Sequence, residues 1–239
     1  ELFFEIIGEI NIEILNEEEE YSLPIIITKE GIRSKYLKDK HEINAKKIHT
    51  EPEVGIINGL WANSVGGGGI IPIQAKFFPT TTYLELKLTG MQGDVMKESM
   101  NVAKTLAFSQ TPAPKLKKFS KTCNETNLQG LHIHCPEGAV PKDGPSAGAA
   151  ITTAIYSIIN NKKIKNNIGI TGEINLQGKI TEIGGLDLKF LGGIRAGITE
   201  FIFPEANKRD FDDFMNKYKN KETLKNIKFH PVDNIKRVF

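Results

Sequence analysis

Cysteine is nearly missing from this chain, and several familiar chemistries go with it. The two present, Cys123 and Cys135, make neither a disulfide framework nor a zinc-ligand spacing. Five histidines stand without the cysteines that would complete a recognisable metal motif, so no resident metal is expected. Long hydrophobic runs are absent too. None approaches the roughly 20 apolar residues of a membrane-spanning helix, and the first residues are acidic where a secretion signal would be basic. An intracellular protein without a membrane partner is expected. Neither sign of charge dominates: 31 basic and 29 acidic residues leave a formal net charge of +2, which gives no electrostatic case for nucleic acid. The lysine clusters 115, 117, 118 and 162, 163, 165 read as solvated loops. No G-x-x-x-x-G-K-[ST] occurs, so no phosphate-cradling loop of that type is present. An initiating methionine is also lacking, and the chain is expected to be a piece of a longer protein.

What remains is an ordinary globular composition, 39% hydrophobic and 25% charged over 239 residues, enough for one domain of roughly 200 residues with an extension. Residues 1–16 place apolar side chains on more than one face, leaving helix and strand both open, and the Glu17–Glu20 run ends that element. Residues 1–28 are read as a leader or linker. From residue 54, VGIINGLWA, a turn at Gly66–Gly69, IIPIQAKFF and the alternating YLELKLTG predict an antiparallel meander of three strands. Helical spacing predicts a helix over 94–108, stopped by Pro112 and Pro114 and followed by a lysine-rich loop. A strand at 131–135, a buried helix at 144–160, and pairing of IGITGEI with GKITEI across Gln177–Gly178 come next. A helix ending at Gly197, a strand TEFIFP and a terminal helix–strand–helix complete a mixed α/β chain.

PKDGPSAG at 141–148 sets Ser146 between Gly144 and Gly148 at the start of the 144–160 helix. Helices begin with unsatisfied N–H groups and a partial positive charge, so a hydroxyl there has donors at hand for an oxyanion formed on attack at a carbonyl. Three readings fit. G-P-S-A-G satisfies G-x-S-x-G, the nucleophile elbow of an α/β-hydrolase, and Asp187 or Asp210 before His230 supplies the triad order. Pro141, Asp143, Gly144 and Pro145 make the approach a loop, however, where an elbow needs a strand, and Val65 replaces the histidine that would precede Gly66–Gly69 in an HGGG motif. The serine as a mere helix cap is the plainest reading, and a nucleophile served by a distant base is the third.

PEGAVPKDGPSAG at 136–148, TGEINLQGKITEIGGLDLK at 171–189, RAGI and FPEANKRD after them, and NGLWANSVGG and LTGMQGDVMKES upstream resemble, in this order, the proteolytic domain of Lon proteases. The resemblance covers roughly residues 54–239. It implies that fold, with antiparallel N-terminal strands followed by a mixed sheet with packed helices over residues 29–239. It also implies a serine endopeptidase acting on unfolded or regulatory proteins as part of an ATP-dependent protease. Ser146 becomes the nucleophile and Lys189 the general base of a Ser–Lys dyad. A lysine of pKa near ~10.4 keeps its proton at neutral pH, so such a site must depress it; burial among Leu186, Leu188, Phe190 and Leu191 would do so. Lys142 and Lys179 are the competing bases. The resemblance further implies that the Thr171 hydroxyl holds the lysine, that Asp143 and Gly144 shape an oxyanion-binding turn, and that relatives work as hexameric rings with an enclosed chamber.

ATP and magnesium belong to a module outside this chain, and no cofactor is expected within it; the compartment implied is cytoplasm or mitochondrial matrix. His132 and His134 share one strand face, where hydrogen bonding is favoured over metal, and Glu137 reads as a loop carboxylate. Trp61 reads either as a wall of the substrate groove or as core. The chain departs from the family in three places: Trp61–Ala62 inverts the usual Ala–Trp pair, an extra glycine follows, and Gln74 replaces a frequent Glu. Asp187 stands where relatives commonly carry a second lysine. The rival from another class is a non-catalytic Lon-like assembly module, which has no chemical reason to retain both Ser146 and Lys189.

Overall fold

The computed structural model describes residues 2–16, 22–36, 46–64, 66–90, 93–136, 143–220 and 222–239. The chain divides into two units, residues 1–44 and 45–239. In the first, α1 (Leu2–Leu15) resolves the opening residues as a helix. A short α2 (Lys29–Gly31) runs into a π-helical turn at Ile32–Tyr36, where Lys35 Nζ reaches Glu13 Oε2 at 2.9 Å.

The second unit runs β1 (Glu53–Val54), β2 (Ile56–Ala62), β3 (Gly68–Phe78), β4 (Leu86–Thr89), α3 (Asp94–Ser109), α4 (Ala113–Thr126), β5 (Gly130–His134) and α5 (Gly148–Asn160). It continues with β6 (Lys163–Ile164), β7 (Ile168–Ile170), β8 (Glu173–Ile174), β9 (Ile180–Thr181), α6 (Leu186–Ala196), β10 (Glu200–Pro204), α7 (Lys208–Tyr218) and β11 (Lys228–Val232). Seven strands form one mixed sheet in the order β11-β10-β7-β2-β3-β5-β4. The first four run parallel, β3 is antiparallel to both β2 and β5, and β4 is parallel to β5. The fold is thus mixed α/β.

Alternation along β2 sends Ile57 to one side of the sheet and Leu60 to the other. On the first side Met96, Met100, Ala103 and Leu106 of α3, Phe119 and Cys123 of α4, and nearly all of α5 form the larger core. On the second, Leu60 and Ile70 pack with α6, α7 and a phenylalanine cluster. Phe190 is its hub, its ring 5.0–6.3 Å from those of Phe201, Phe203, Phe211, Phe214 and Phe229.

Two expectations are corrected. The β2–β3 hairpin forms, but its turn occupies Asn63–Gly67, and the third strand does not continue a meander. β4 instead crosses to pair with β5, Leu86 opposite Leu131 and Thr89 opposite His134. The segment read as a lysine-rich loop is α4: Pro112 and Pro114, besides stopping α3, open a new helix. Its stripe is carried only by Leu116, Phe119 and Cys123, while Lys115, Lys117, Lys118 and Lys121 face water. The predicted pairing across Gln177–Gly178 survives as the short β8–β9 ladder, Glu173 opposite Thr181 and Ile174 opposite Ile180; Ile168–Ile170 belongs to the main sheet. Among the described residues no helix is long and apolar enough to cross a membrane.

Candidate active site

Gly144, at φ 124°, turns the chain into a 3-10 turn at Pro145–Ala147 that runs on into α5. Proline presets φ for the first position of such a turn and has no N–H to waste there. Small residues follow, and α5 sinks into the core with every side chain but Ile158 buried. Ser146 sits half-buried at this entry. Its carbonyl accepts from Gly172 N at 2.8 Å and from Thr171 Oγ1 at 3.3 Å, while Ala149 N donates to Gly172 O at 3.0 Å. Residues 146–149 are thereby zipped to 171–172, the segment between β7 and β8.

Lys189 approaches from α6, a helix bracketed by left-handed glycines, Gly185 before it and Gly197 after it. The lysine is 4% exposed, and its Nζ donates to Thr171 Oγ1 at 3.3 Å. Burial lowers its pKa from 10.5 to about 8. Thr171, itself fully buried, has committed its proton to the Ser146 carbonyl, so its oxygen can only accept from the lysine. One N–H of Lys189 is thereby oriented, and the remaining valences of the amine are left for another partner.

α6 can lie this close to the sheet because glycine meets glycine. A Cβ on Gly68 would stand 2.1 Å from Leu188 O, and one on Gly192 would stand 2.2 Å from the Gly68 carbonyl carbon. The helix therefore rests backbone to backbone on β3, one turn beyond Lys189, while the adjacent Phe190 is held in the phenylalanine cluster. Of the apolar neighbours expected around the lysine, Leu186 and Phe190 are buried, while Leu188 and Leu191 are only partly covered.

The other expected residues separate clearly. Asp143 Oδ1 accepts from Gly144 N at 2.9 Å and from Met96 N at 3.0 Å, so this carboxylate caps α3 and anchors the turn before Ser146 to another helix. Its Cγ stands where a Cβ on Gly93 would come within 2.3 Å, so only glycine leaves room for it. Trp61 lies half-buried opposite Gly69, its indole over that glycine. Alternation puts Trp61 on the α5 side of the sheet, while Ala62 faces Gly185 at the start of α6. Lys179 is exposed in the turn before β9 and Asp187 is exposed on α6; Lys142 and Glu137 lie outside the described residues.

His132 Nε2 and His134 Nδ1 both meet Thr89 Oγ1, at 2.9 and 2.8 Å, as hydrogen-bonded residues of the strand interface. Burial, then Lys87 and His134, lower the His132 pKa. No cluster of three or more His, Cys, Asp or Glu able to hold a metal occurs among the described residues. The elbow arrangement is not assembled: a 3-10 turn precedes α5, His230 has Glu200 as its carboxylate neighbour at 3.8 Å, and Asp210 bonds Asn207. Sequence reasoning missed Gly172, Met96 and Gly192, because backbone donors and close approaches leave no signal in side-chain type.

Comparison with known proteins gives the chain a family. The family model for the Lon protease (S16) C-terminal proteolytic domain matches residues 27–239. A Lon protease homolog of Acanthamoeba polyphaga mimivirus is 45% identical over 197 residues, 79% of this chain and 18% of that protein. The Lon protease of Metamycoplasma arthritidis is 39% identical over 82% of this chain and 22% of its own length. That of Fusobacterium nucleatum is 42% identical over 70% and 21% respectively. The chain spans about a fifth of the length of these curated relatives. By these matches the chain belongs to the Lon protease C-terminal proteolytic domain family.

Proposed function

We propose that this chain is the peptide-cleaving part of an ATP-dependent Lon-type protease, a serine endopeptidase in which Ser146 is the nucleophile and Lys189 the general base. The observation that carries this reading is the buried Lys189 amine, its pKa lowered to about 8, bonded to the same Thr171 that bonds the Ser146 backbone. With that pKa a useful fraction of the amine is neutral near pH 7, which an exposed lysine would not provide.

Ser146 Oγ attacks the peptide carbonyl as Lys189 takes its proton. The tetrahedral oxyanion is received by N–H groups of the first turn at Ser146 and Ala147, which precede any intrahelical acceptor. The ammonium then protonates the departing amine and an acyl-enzyme remains. Water attacks it with Lys189 again as base, and Ser146 recovers its proton as the acid leaves. Thr171 orients the amine throughout, Asp143 and Gly144 hold the turn, and Trp61 walls the substrate groove.

Protein and peptide substrates, a hexameric ring, an intracellular setting, and an ATP- and magnesium-dependent module outside this chain complete the proposal. Cleavage of a short peptide and of an unfolded protein by the wild type, Ser146→Ala and Lys189→Ala tests it. Both variants should fall by at least ~10³-fold; equal rates in all three would overturn the dyad.

A further inference from the structure

A concavity of about 180 Å³ lies along the later part of α5, walled by Ile57, Tyr156, Ile168, Ile170, Ile202 and Phe239. One wall is a stacked aromatic pair: the Tyr156 and Phe239 rings lie with centroids 3.7 Å apart and planes 2° from parallel. The aliphatic hydroxyls of Thr153 and Ser157 on its border are already bonded within the protein. Thr153 Oγ1 donates to Ala149 O at 2.8 Å, and Ser157 Oγ accepts from Gly55 N and donates to Lys162 O. With Thr153 and Ser157 so engaged, the isoleucine walls offer mainly apolar contact, which penalises a polar occupant.

The rim is different, because Lys162, Lys163 and Lys165 all border the opening. Lys165 bonds Glu200 at 3.2 Å, but among the described residues neither Lys162 nor Lys163 pairs with a carboxylate. Lys162 Nζ instead stands 5.8 Å from the centre of the Tyr156 ring, over the aromatic wall. An apolar cavity with uncompensated cations at its mouth matches a ligand with an apolar body and one anionic end. We propose that this cavity binds a small apolar monocarboxylate, its chain or ring among the isoleucines and its carboxylate at Lys162 and Lys163.

The walls also belong to α5 and β7, the elements that lead into the two sides of the contact between residues 146–149 and 171–172. Tyr156 is on α5, whose entry carries Ser146, and Ile170 directly precedes Thr171. The carbonyl of Ile202, itself a wall residue, accepts from Thr171 N at 3.1 Å. A ligand packed against Tyr156, Ile170 and Ile202 therefore restrains both sides of the 146–172 zipper. Its consequence for peptide cleavage rests on the dyad proposed above; its binding does not.

Calorimetric titration of the chain with octanoate, 1-octanol and octylammonium separates the two statements. Octanoate should bind one to one, with the other two probes at least tenfold weaker. The affinity should fall at least tenfold in Lys162→Glu/Lys163→Glu, whose exposed positions leave folding intact, and in Ile202→Phe, which fills the cavity, once its melting curve shows it folded. Ser146→Ala should bind as the wild type does. Octanoate should slow hydrogen exchange at α5 and β7 amides, a readout independent of catalysis. Equal affinity for the three probes, full affinity in the double variant, or no saturable binding below about 10 mM would overturn the site. Binding with unchanged exchange would overturn the coupling to α5 and β7.

Discussion

Lys189 is held where its charge is disfavoured, and the consequences differ for activity and for stability. As the free enzyme's base it should give a kcat/KM that rises with pH and levels above about 8; a profile flat from pH 6 to 9 would exclude it. For stability, the folded-state value lies below the unfolded one. Under pH 8 the lysine is protonated in both states and the full cost of burying the cation is present; between about 8 and 10.5 the unfolded state binds the extra proton, so stability rises with pH. That displacement corresponds to an upper bound of ~3 kcal/mol. Lys189→Met should therefore be more stable than the wild type at pH 7, by about 1–3 kcal/mol, with the gain gone near pH 10.5, as read by urea midpoints across pH. Thr171→Val removes the acceptor that favours the ammonium. It should move the activity midpoint to lower pH while cutting kcat roughly ten- to a hundredfold through lost orientation; an unmoved midpoint would deny Thr171 this role.

At the scale of elements, the two halves of the site are fixed by unlike means. The Ser146 turn is tied to α3 by the Asp143 carboxylate on Met96 N and Gly144 N. Asp143→Asn keeps an acceptor and should stay within about twofold of wild-type activity, whereas Asp143→Ala should lose ~1 kcal/mol of stability and activity with it; equal behaviour of the two would refute the capping role. α6 is fixed by close backbone contact backed by hydrogen bonds such as Arg195 Nη2 to Gly68 O at 3.1 Å, and Gly192→Ala would push a methyl into the Gly68 backbone. A loss of ~1–3 kcal/mol is expected, with cleavage reduced even at temperatures where the variant is folded. α6 was legible in the sequence because Gly197 punctuates its end, while the motifs fix the type and order of Ser146 and Lys189 and not their roles. α4 was not: three apolar residues among lysines make too thin a stripe to outweigh a charge run, and only the sheet above shows what they cover. Nor was the partner of β4, since alternation within a strand says which way side chains point and nothing about which neighbour accepts its hydrogen bonds. The Gly68–Gly192 approach was invisible for the opposite reason, a missing side chain being the signal.

For the molecule as a whole, the phenylalanine cluster and the candidate chemistry are neighbours in sequence, Lys189 and Phe190 pointing into different surroundings of one helix. Phe190→Ala should cost ~3–5 kcal/mol and flatten activity at temperatures below the main unfolding transition; activity and fluorescence melts that coincide with wild type would show the cluster to be dispensable. The β8–β9 turn sits between the two halves, with Asn175 Oδ1 bonding Gln177 N and Lys179 N and Leu176 59% exposed at its tip. A single break at Gln177 would leave Ser146 and Thr171 on one fragment and Lys189 on the other. On the proposed dyad neither piece should cut alone, and regained cleavage on mixing would report their reassembly: the exposed β8–β9 turn separates the proposed nucleophile from its proposed base, so the two can be made as separate parts.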